Sequence, residues 1–158
     1  MDATEKHDLP FVDAHTSLVA AEPDAVWRAV AETVRRGFGH RRAEAVARLL
    51  GCADRTVSGP WPPAEGSTIP GFRTAAAVPG RELALTGSHR FSTYALIFRL
   101  EEAGEGRTRV RAETWAAFPG PAGRLYRLVV IGTRGHALAV RRMLTTVRAR
   151  ALQGRGTG

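Results

Sequence analysis

The fold is first indicated by residues 17–27, SLVAAEPDAVW, in which an alternating segment passes directly into the start of a helix. Small or apolar residues recur at every second position through residues 11–21, which is the period of a strand. Pro23 then occupies a first helical position, and the acidic Asp24 suits the positive end of the helix dipole. Apolar side chains continue at helical spacing, so the sequence predicts that this helix runs to about Arg36.

After this first helix, the spacing of apolar residues predicts one more short helix and then a series of strands. The second helix is predicted at residues 41–50, with Gly51 suited to its C-terminal cap. From residue 52 onward the period changes to two, and the predicted strands are residues 55–58, 72–78, 82–87, 89–100 and 108–118. Short turns such as Pro79-Gly80 join successive strands, so the sheet is predicted to be antiparallel.

The last predicted element is one long amphipathic helix over residues 119–152. Its apolar stripe, which is expected to pack on the sheet, consists of Leu125, Val129, Gly132, His136, Val140, Met143 and Val147. Its opposite side is rich in arginine and contains Arg124, Arg127, Arg134, Arg141, Arg142 and Arg148. A solvated helix face explains these arginines without a binding partner.

This order of elements resembles the helix-grip fold of the START-like (SRPBCC) superfamily, which includes polyketide cyclases, pollen-allergen-like proteins and lipid-transfer domains. The motifs that carry the resemblance are SLVAAEPDAVW at residues 17–27, PGRELAL at residues 79–85 and GRTRV at residues 106–110. The resemblance implies an α+β fold, in which a curved antiparallel sheet wraps around a long C-terminal helix, with two short helices after the first strand. It implies a single domain at residues 11–152, with flexible tails at residues 1–10 and 153–158.

Length, cysteine content and charge limit the classes of protein to consider. The chain has 158 residues, which suits one domain, and its single cysteine, Cys52, excludes a disulfide framework. It has no apolar run of about 18 residues, and residues 1–10 are unlike a secretory signal, so a cytoplasmic protein is expected. The net charge of +8 raises the hypothesis of nucleic-acid binding. Because the arginines are spread over helices and strands, we expect no nucleic-acid partner and interpret the charge as a surface property.

Small residues on the predicted inner face of the sheet indicate a cavity beneath the last helix. The inward side of the last strand carries Val110, Ala112, Thr114, Ala116 and Phe118, most of which are small. An apolar void of this kind binds apolar ligands. The alternative is that the space is filled by bulky side chains, namely Trp27, Phe72, Phe91, Tyr94 and Phe98.

Polar residues that are expected to face this interior are the candidates for chemistry. His136, at the centre of the apolar stripe, is either an acid/base or ligand-binding group, or a structural histidine satisfied by a strand carbonyl or by Thr114. Arg90 and Tyr94 alternate with Ser92 along one side of their strand, where such groups are able to polarise a carbonyl. The sequence leaves open the rival inner face of that strand, which consists of His89, Phe91, Thr93, Ala95 and Ile97.

The remaining candidates are residues that are predicted to contact a ligand. Tyr126 is expected at the mouth of the cavity as a gate or a rim residue, and Trp61 in the proline-rich loop as a lid or a packing anchor. The others are Phe72, Ser92, Ala112, Thr114, Phe118, Val129, Gly132, Thr133 and Val140. Cys52 is expected to be inert core. The five histidines lack the spacing of metal ligands, and neither a phosphate-binding loop nor a nucleophile elbow is present, so we predict no metal and no cofactor.

Two functions therefore remain open. The first is the binding of a hydrophobic small molecule, which the resemblance suggests is lipid-like or aromatic and polyketide-like. The second is an enzyme similar to the polyketide cyclases and aromatases, using His136, Tyr94 and Arg90 in the same cavity. Against the second, no catalytic signature of the family is visible, and the loop at residues 59–71 departs from the family pattern by its prolines. A monomer or a homodimer is expected.

Overall fold

The computed structural model describes residues 8–154, and within them the backbone forms six strands, four α-helices and one π-helical turn. The strands are β1 (Phe11–Val19), β2 (Thr68–Ile69), β3 (Phe72–Val78), β4 (Glu82–His89), β5 (Ser92–Glu102) and β6 (Thr108–Ala117). The α-helices are α1 (Pro23–Phe38), α2 (Arg41–Leu50), α3 (Gly120–Arg127) and α4 (Gly135–Gln153), and the π-helical turn is Leu128–Gly132.

The strands form one sheet in the order β1-β6-β5-β4-β3-β2, with every neighbouring pair antiparallel. The sheet is curved and open, and α4 packs across its inner face beside α1. The predicted α+β class, with an antiparallel sheet and a long C-terminal helix, is therefore confirmed.

The core fills the space between the inner face of the sheet and helices α1 and α4. Phe98 of β5, Val110 of β6 and Val147 of α4 are fully buried there. Trp27 of α1 packs in the same cluster and donates its indole N–H to the backbone oxygen of Glu82, at 3.1 Å. Burial of large apolar side chains is the main stabilising contribution, so the fold is held together at this end of the sheet.

The outer face of the sheet carries a smaller apolar cluster beside a set of ion pairs. Ile97 is fully buried there, and Leu9, in a segment predicted as a tail, is buried in the same cluster. Beside it, Glu113 accepts hydrogen bonds from Arg111, at 2.9 Å, and from Trp115, at 3.3 Å. Burial opposes ionisation of Glu113, but these hydrogen bonds and the charge of Arg99 outweigh it and lower the pKa of the carboxyl group. Gln153, also predicted to be in a tail, belongs to α4, and the predicted tail residues 1–7 and 155–158 lie outside the described residues.

Two predicted elements differ from the structure. Residues 55–58 do not form a strand, and only an isolated bridge joins Ser58 to Thr68. The single helix predicted at residues 119–152 is broken by the π-helical turn and by Arg134, whose φ of 60° is left-handed. Each irregularity changes the direction in which the following side chains point, so the stripe before the break cannot be extrapolated from the stripe after it. Among residues 8–154, no helix combines the length and the apolar content needed to cross a membrane.

Candidate functional site

A cavity of about 580 Å³ lies between the sheet and the helices, at the end opposite the filled core. The sheet contributes Ser92, Thr114 and Ala116 to its wall, and α4 contributes His136, Ala139 and Val140. Helix α2 and the segment from Tyr126 to Ile131 border its other sides, and the cavity is partly open to solvent. The volume lies within the range of small-molecule binding sites. The structure therefore contains the predicted void rather than the filled interior.

A chain of aromatic rings forms one wall of the cavity. Phe72 links Phe38 and Tyr94, with ring centroids 4.9 and 5.4 Å apart. His89 links Tyr94 and Tyr126, at 5.5 and 4.9 Å. All five rings line the cavity, and their mutual distances and tilts are those of favourable aromatic pairs. The wall is assembled from α1, three strands and α3, and its neighbouring rings are tilted by 49 to 74° relative to one another.

Tyr94 is fixed in this wall by its hydroxyl group. Its hydroxyl donates a hydrogen bond of 2.6 Å to the backbone oxygen of Gly71. Gly87 on the neighbouring strand leaves room for the ring, because a Cβ at that position would lie 2.6 Å from the ring and 2.2 Å from the Gly71 oxygen. Burial raises the pKa of Tyr94, and the nearby Cys52 thiol raises it further, so the hydroxyl stays protonated and neutral.

Cys52 and Tyr126 complete a group of neutral polar side chains at this wall. The Cys52 thiol is buried and lines the cavity near Tyr94, and its pKa is raised chiefly by burial. Burial likewise raises the pKa of Tyr126. A raised pKa keeps both groups uncharged at neutral pH, so this wall offers hydrogen-bonding groups without a charge. The thiol is thus buried, as expected for inert core, yet it also faces the cavity.

His89 lies on the aromatic wall although the sequence placed it opposite Tyr94. The hairpin turn is at residues 90–91, so His89 ends β4 while Tyr94 belongs to β5, and both side chains reach the same space. The backbone N–H of Phe91 donates to His89 Nδ1 at 3.1 Å, which puts the ring proton on Nε2. Burial lowers the pKa of His89 and favours this neutral form.

On the opposite side of the cavity, His136 lies within a polar cluster. Its Nε2 is 2.9 Å from the Thr114 hydroxyl and 3.6 Å from Asp13 Oδ1. That Asp13 oxygen is buried and has no hydrogen-bond partner within residues 8–154, while the other carboxylate oxygen lies 3.2 Å from His15 Nε2. The hydrogen bond between His136 and Thr114 is the structural alternative that the sequence left open for this histidine. Both contacts use Nε2, which differs from a nucleophilic triad, where the acid holds Nδ1 and the hydroxyl faces Nε2.

Sequence reasoning missed Asp13 and His15, although a signal was present. Both lie on β1 at the strand period, and antiparallel pairing with β6 puts Asp13 opposite Thr114 and His15 opposite Ala112. Since the inward side of β6 was identified correctly, the pairing of the first and last strands would have brought Asp13 beside Thr114 and His136, with His15 next to Asp13.

Most of the predicted site residues meet in the cavity. Those that line it are Phe72, Ser92, Tyr94, Thr114, Phe118, Tyr126, His136 and Val140. Their contacts with a ligand remain predictions. Of the two alternatives for the inner face of β5, the one that contains Tyr94 faces the cavity. Tyr94 and Leu96 line the cavity, and Ile97 is buried on the outer side of the sheet.

The other predicted site residues lie elsewhere. Arg90 is exposed in the β4–β5 turn, and its side chain lies against Gly51 at the end of α2. Ala112 is sealed in the filled core, and Trp61 packs against that core without reaching the cavity. The last three, which the irregular segment turns away from the cavity toward the outside, are Val129, Gly132 and Thr133.

Within the part of the chain that the structure describes, no group of three or more His, Cys, Asp or Glu side chains has an arrangement that could hold a metal ion.

Solved structures with the same architecture identify the fold. The chain is similar to norcoclaurine synthase from Thalictrum flavum, with a TM-score of 0.57 and 13% identity, over 93% of this chain and 99% of that one. It is similar to the Mll3558 protein from Rhizobium loti, with a TM-score of 0.55 and 18% identity, over 87% and 94% of the two chains. For the protein TTHA0849 from Thermus thermophilus, the TM-score is 0.54 and the identity 15%, over 92% and 99%. The chain has the helix-grip fold.

The likeness to helix-grip proteins rests on structure alone. No family model matches the sequence, and no curated protein matches it. At identities of 13 to 18%, shared architecture defines the fold, whereas the ligand depends on the side chains of the cavity.

Proposed function

We propose that the protein binds a hydrophobic small molecule in the helix-grip cavity, and that a ring system of the ligand stacks against the aromatic wall. The observation that carries the proposal is the continuous chain of rings from Phe38 to Tyr126 beside a cavity of about 580 Å³. Rings at such spacing favour a flat aromatic partner over a flexible acyl chain, since offset and edge contacts add to the burial of area.

The polar groups of the wall suit a ligand with a few neutral oxygen atoms. His89 has its Nε2–H available, because Nδ1 already accepts from the backbone of Phe91. The hydroxyl of Tyr126 makes no hydrogen bond within residues 8–154, so it is available as well. Carbonyl or phenolic oxygens on an otherwise apolar ligand would be recognised by these donors without the cost of burying a charge.

Displacement of a fluorescent probe tests this proposal. The probe 1-anilinonaphthalene-8-sulfonate is bound first, and a planar anthraquinone and a saturated fatty acid then compete for its site. We expect the anthraquinone to displace the probe at lower concentration. Failure of both competitors would contradict binding in the cavity, and stronger displacement by the fatty acid would favour a lipid-like ligand.

Two variants on α4 locate the probe. Both Ala139 and Ala149 are exposed on this helix, but Ala139 lines the cavity and Ala149 does not. Ala139→Phe is expected to weaken binding at least tenfold by occupying the space, and Ala149→Phe is expected to leave it unchanged. Equal effects of the two substitutions would place the probe outside the cavity.

An enzymatic function is the second candidate, favoured by the polar cluster around His136. Thr114 and Asp13 both face Nε2, which leaves Nδ1 of His136 without a described partner. A histidine held in this way is able to accept a proton from a ligand carbon or hydroxyl and to return it, as a cyclase or aromatase requires. Norcoclaurine synthase, whose structure holds a transition state analogue, has the same fold, so the fold is compatible with catalysis.

His136→Gln separates the two functions. The amide side chain retains hydrogen-bonding capacity toward Thr114 but cannot exchange a proton at neutral pH. For an enzyme, we expect the turnover of a polyketone substrate to fall by two or more orders of magnitude while probe affinity stays within about twofold. Unchanged turnover would remove His136 from the chemistry.

A further inference from the structure

The net charge of the chain is confined to its C-terminal third. Residues 1–113 carry 15 basic and 15 acidic side chains, whereas residues 114–158 carry eight arginines and neither Asp nor Glu. On the sheet the arginines are paired, for example Arg99 with Glu82 at 2.6 Å and Arg73 with Asp54 at 2.8 Å. Within residues 8–154, no arginine after Glu113 has a carboxylate within ion-pair distance. The spread of arginine along the sequence therefore concealed a local excess of charge.

The same region exposes large aliphatic side chains. Leu125, Leu128 and Val129 are 64, 66 and 58% exposed. Tyr126 and Val130, one turn apart, point into the cavity, so the three exposed side chains lie on the opposite surface of this segment. We call this surface the ridge and define it as Arg124, Leu125, Arg127, Leu128 and Val129.

A shallow depression beside the ridge is lined by both arginine and aliphatic side chains. It is lined by Arg124, Arg127, Leu128, Ile131 and Gly132. Ile131 also lines the ligand cavity, so the ridge and the cavity are two sides of one helical wall. Two unpaired guanidinium groups next to aliphatic carbon suit an anionic head group joined to an apolar chain.

Helix α2 presents a similar surface on the other side of the cavity. Val46 and Leu49 are 54 and 75% exposed, and Val46 also borders the cavity. Arg41, Arg42 and Arg48 belong to the same helix, whose single acidic residue is Glu44. Exposed aliphatic and cationic side chains thus flank the cavity on both sides.

We propose that the ridge docks the protein onto the surface of a lipid bilayer that contains anionic lipids. Basic segments with exposed leucine side chains bind such surfaces, because the cations attract the head groups and the apolar side chains enter the acyl boundary. A second copy of this chain fits poorly, since two faces that carry only positive charge repel each other. A protein partner is disfavoured because the exposed ridge lacks the Tyr and Trp side chains that dominate protein interfaces.

Sedimentation with vesicles tests the proposal directly. Vesicles of phosphatidylcholine are compared with vesicles of phosphatidylcholine and phosphatidylserine, at low and at high salt. We expect binding to the anionic vesicles and at least tenfold weaker binding to the neutral ones, with loss of binding as salt screens the charge. Absence of binding to the anionic vesicles at low salt would overturn the proposal.

Substitutions on the ridge and matched controls show where the vesicle binds. Arg124→Gln with Arg127→Gln is expected to weaken binding about tenfold or more, and Leu128→Ser is expected to weaken it severalfold. The matched controls are Arg107→Gln with Arg109→Gln, two exposed arginines at β6, and Val78→Ser, an exposed aliphatic side chain on β3. Controls that weaken binding as much as the ridge variants would overturn the assignment to this surface.

Two further outcomes are decisive. A dimer that forms without lipid and dissociates on Leu128→Ser would show that the ridge is an interface between copies of this chain, and would contradict membrane docking. Docking does not depend on the occupied cavity, so Ala139→Phe is expected to weaken probe binding at least tenfold and to leave vesicle binding intact. Loss of vesicle binding in that variant would contradict a ridge that acts separately from the cavity.

Discussion

The two ends of the space between the sheet and α4 are built from the same elements but to opposite effect. At one end Phe98 of β5, Ala112 of β6 and Val147 of α4 are sealed in the core. At the other end the same strands and helix present Ser92, Ala116 and His136 to a cavity. Large apolar side chains at the filled end supply the stability, so the hollow end can keep an empty space between its aromatic wall and its small or polar side chains.

Phe98→Ala tests the filled end and is expected to have the largest effect. The ring is fully buried, so its removal loses burial and leaves a void that the surrounding strands cannot close. We expect a loss of about 3–5 kcal/mol in the free energy of unfolding, measured by urea denaturation. A loss below about 1 kcal/mol would show that the two ends do not differ in packing.

One substitution at two positions of β6 compares the ends directly. Ala112 and Ala116 are buried on the same face, four residues apart, but only Ala116 borders the cavity. Ala112→Leu overpacks the core and is expected to cost about 1–3 kcal/mol of unfolding free energy. Ala116→Leu fills empty space and is expected to cost nothing, or to add about 0.5–2 kcal/mol of stability.

The same pair of variants is expected to separate stability from binding. Ala116→Leu is predicted to weaken probe binding, whereas folded Ala112→Leu is predicted to bind normally. Thermal unfolding and probe titration of both proteins give the comparison. Equal destabilisation by the two substitutions would contradict a void beside Ala116.

Tyr94→Phe measures what the polar wall of the hollow end contributes to stability. It removes the hydroxyl that donates to the Gly71 oxygen and leaves that oxygen unpaired. We expect a loss of about 0.5–1.5 kcal/mol in chemical denaturation. Tyr126→Phe is the control, because within residues 8–154 its hydroxyl makes no hydrogen bond, and its expected change is near zero. Similar losses in both variants would mean that removing a hydroxyl from this wall, and not losing the hydrogen bond to Gly71, causes the effect.

The sequence predicted the parts of the molecule that follow from regular periods. Alternation along β6 identified its inward side, and the apolar spacing after Pro23 identified helix α1, whose Trp27 the structure places in the core. It failed where one residue changes the phase of an element. The π-helical turn and Arg134 turned Leu125 and Val129 outward, and the turn at residues 90–91 brought His89 to the side of Tyr94. Tertiary packing selects such phase changes, so local sequence patterns do not reveal them.

The last prediction concerns His89, which ends β4 and meets Tyr94 of β5 across the turn at residues 90–91. His89 is buried beside Tyr94 and Tyr126, and burial lowers its pKa. The unfolded chain, with a histidine pKa of about 6.5, therefore binds a proton more readily than the folded protein. The contribution of His89 to stability is present above that value and is lost as the pH falls through the lowered pKa of the folded state.

His89→Phe removes this titration, so the variant is expected to lose less stability than the wild type as the pH falls below about 6.5. The measurement is the unfolding free energy from urea denaturation at several pH values above 5, where the Glu113 carboxyl, whose lowered pKa lies below 4.5, stays ionised. The effect is expected to be the smallest of the four, because one partly buried ring carries it. Parallel pH profiles for the two proteins would mean that His89 is solvated in the cavity, and the hollow end would then be wetter than its aromatic wall implies.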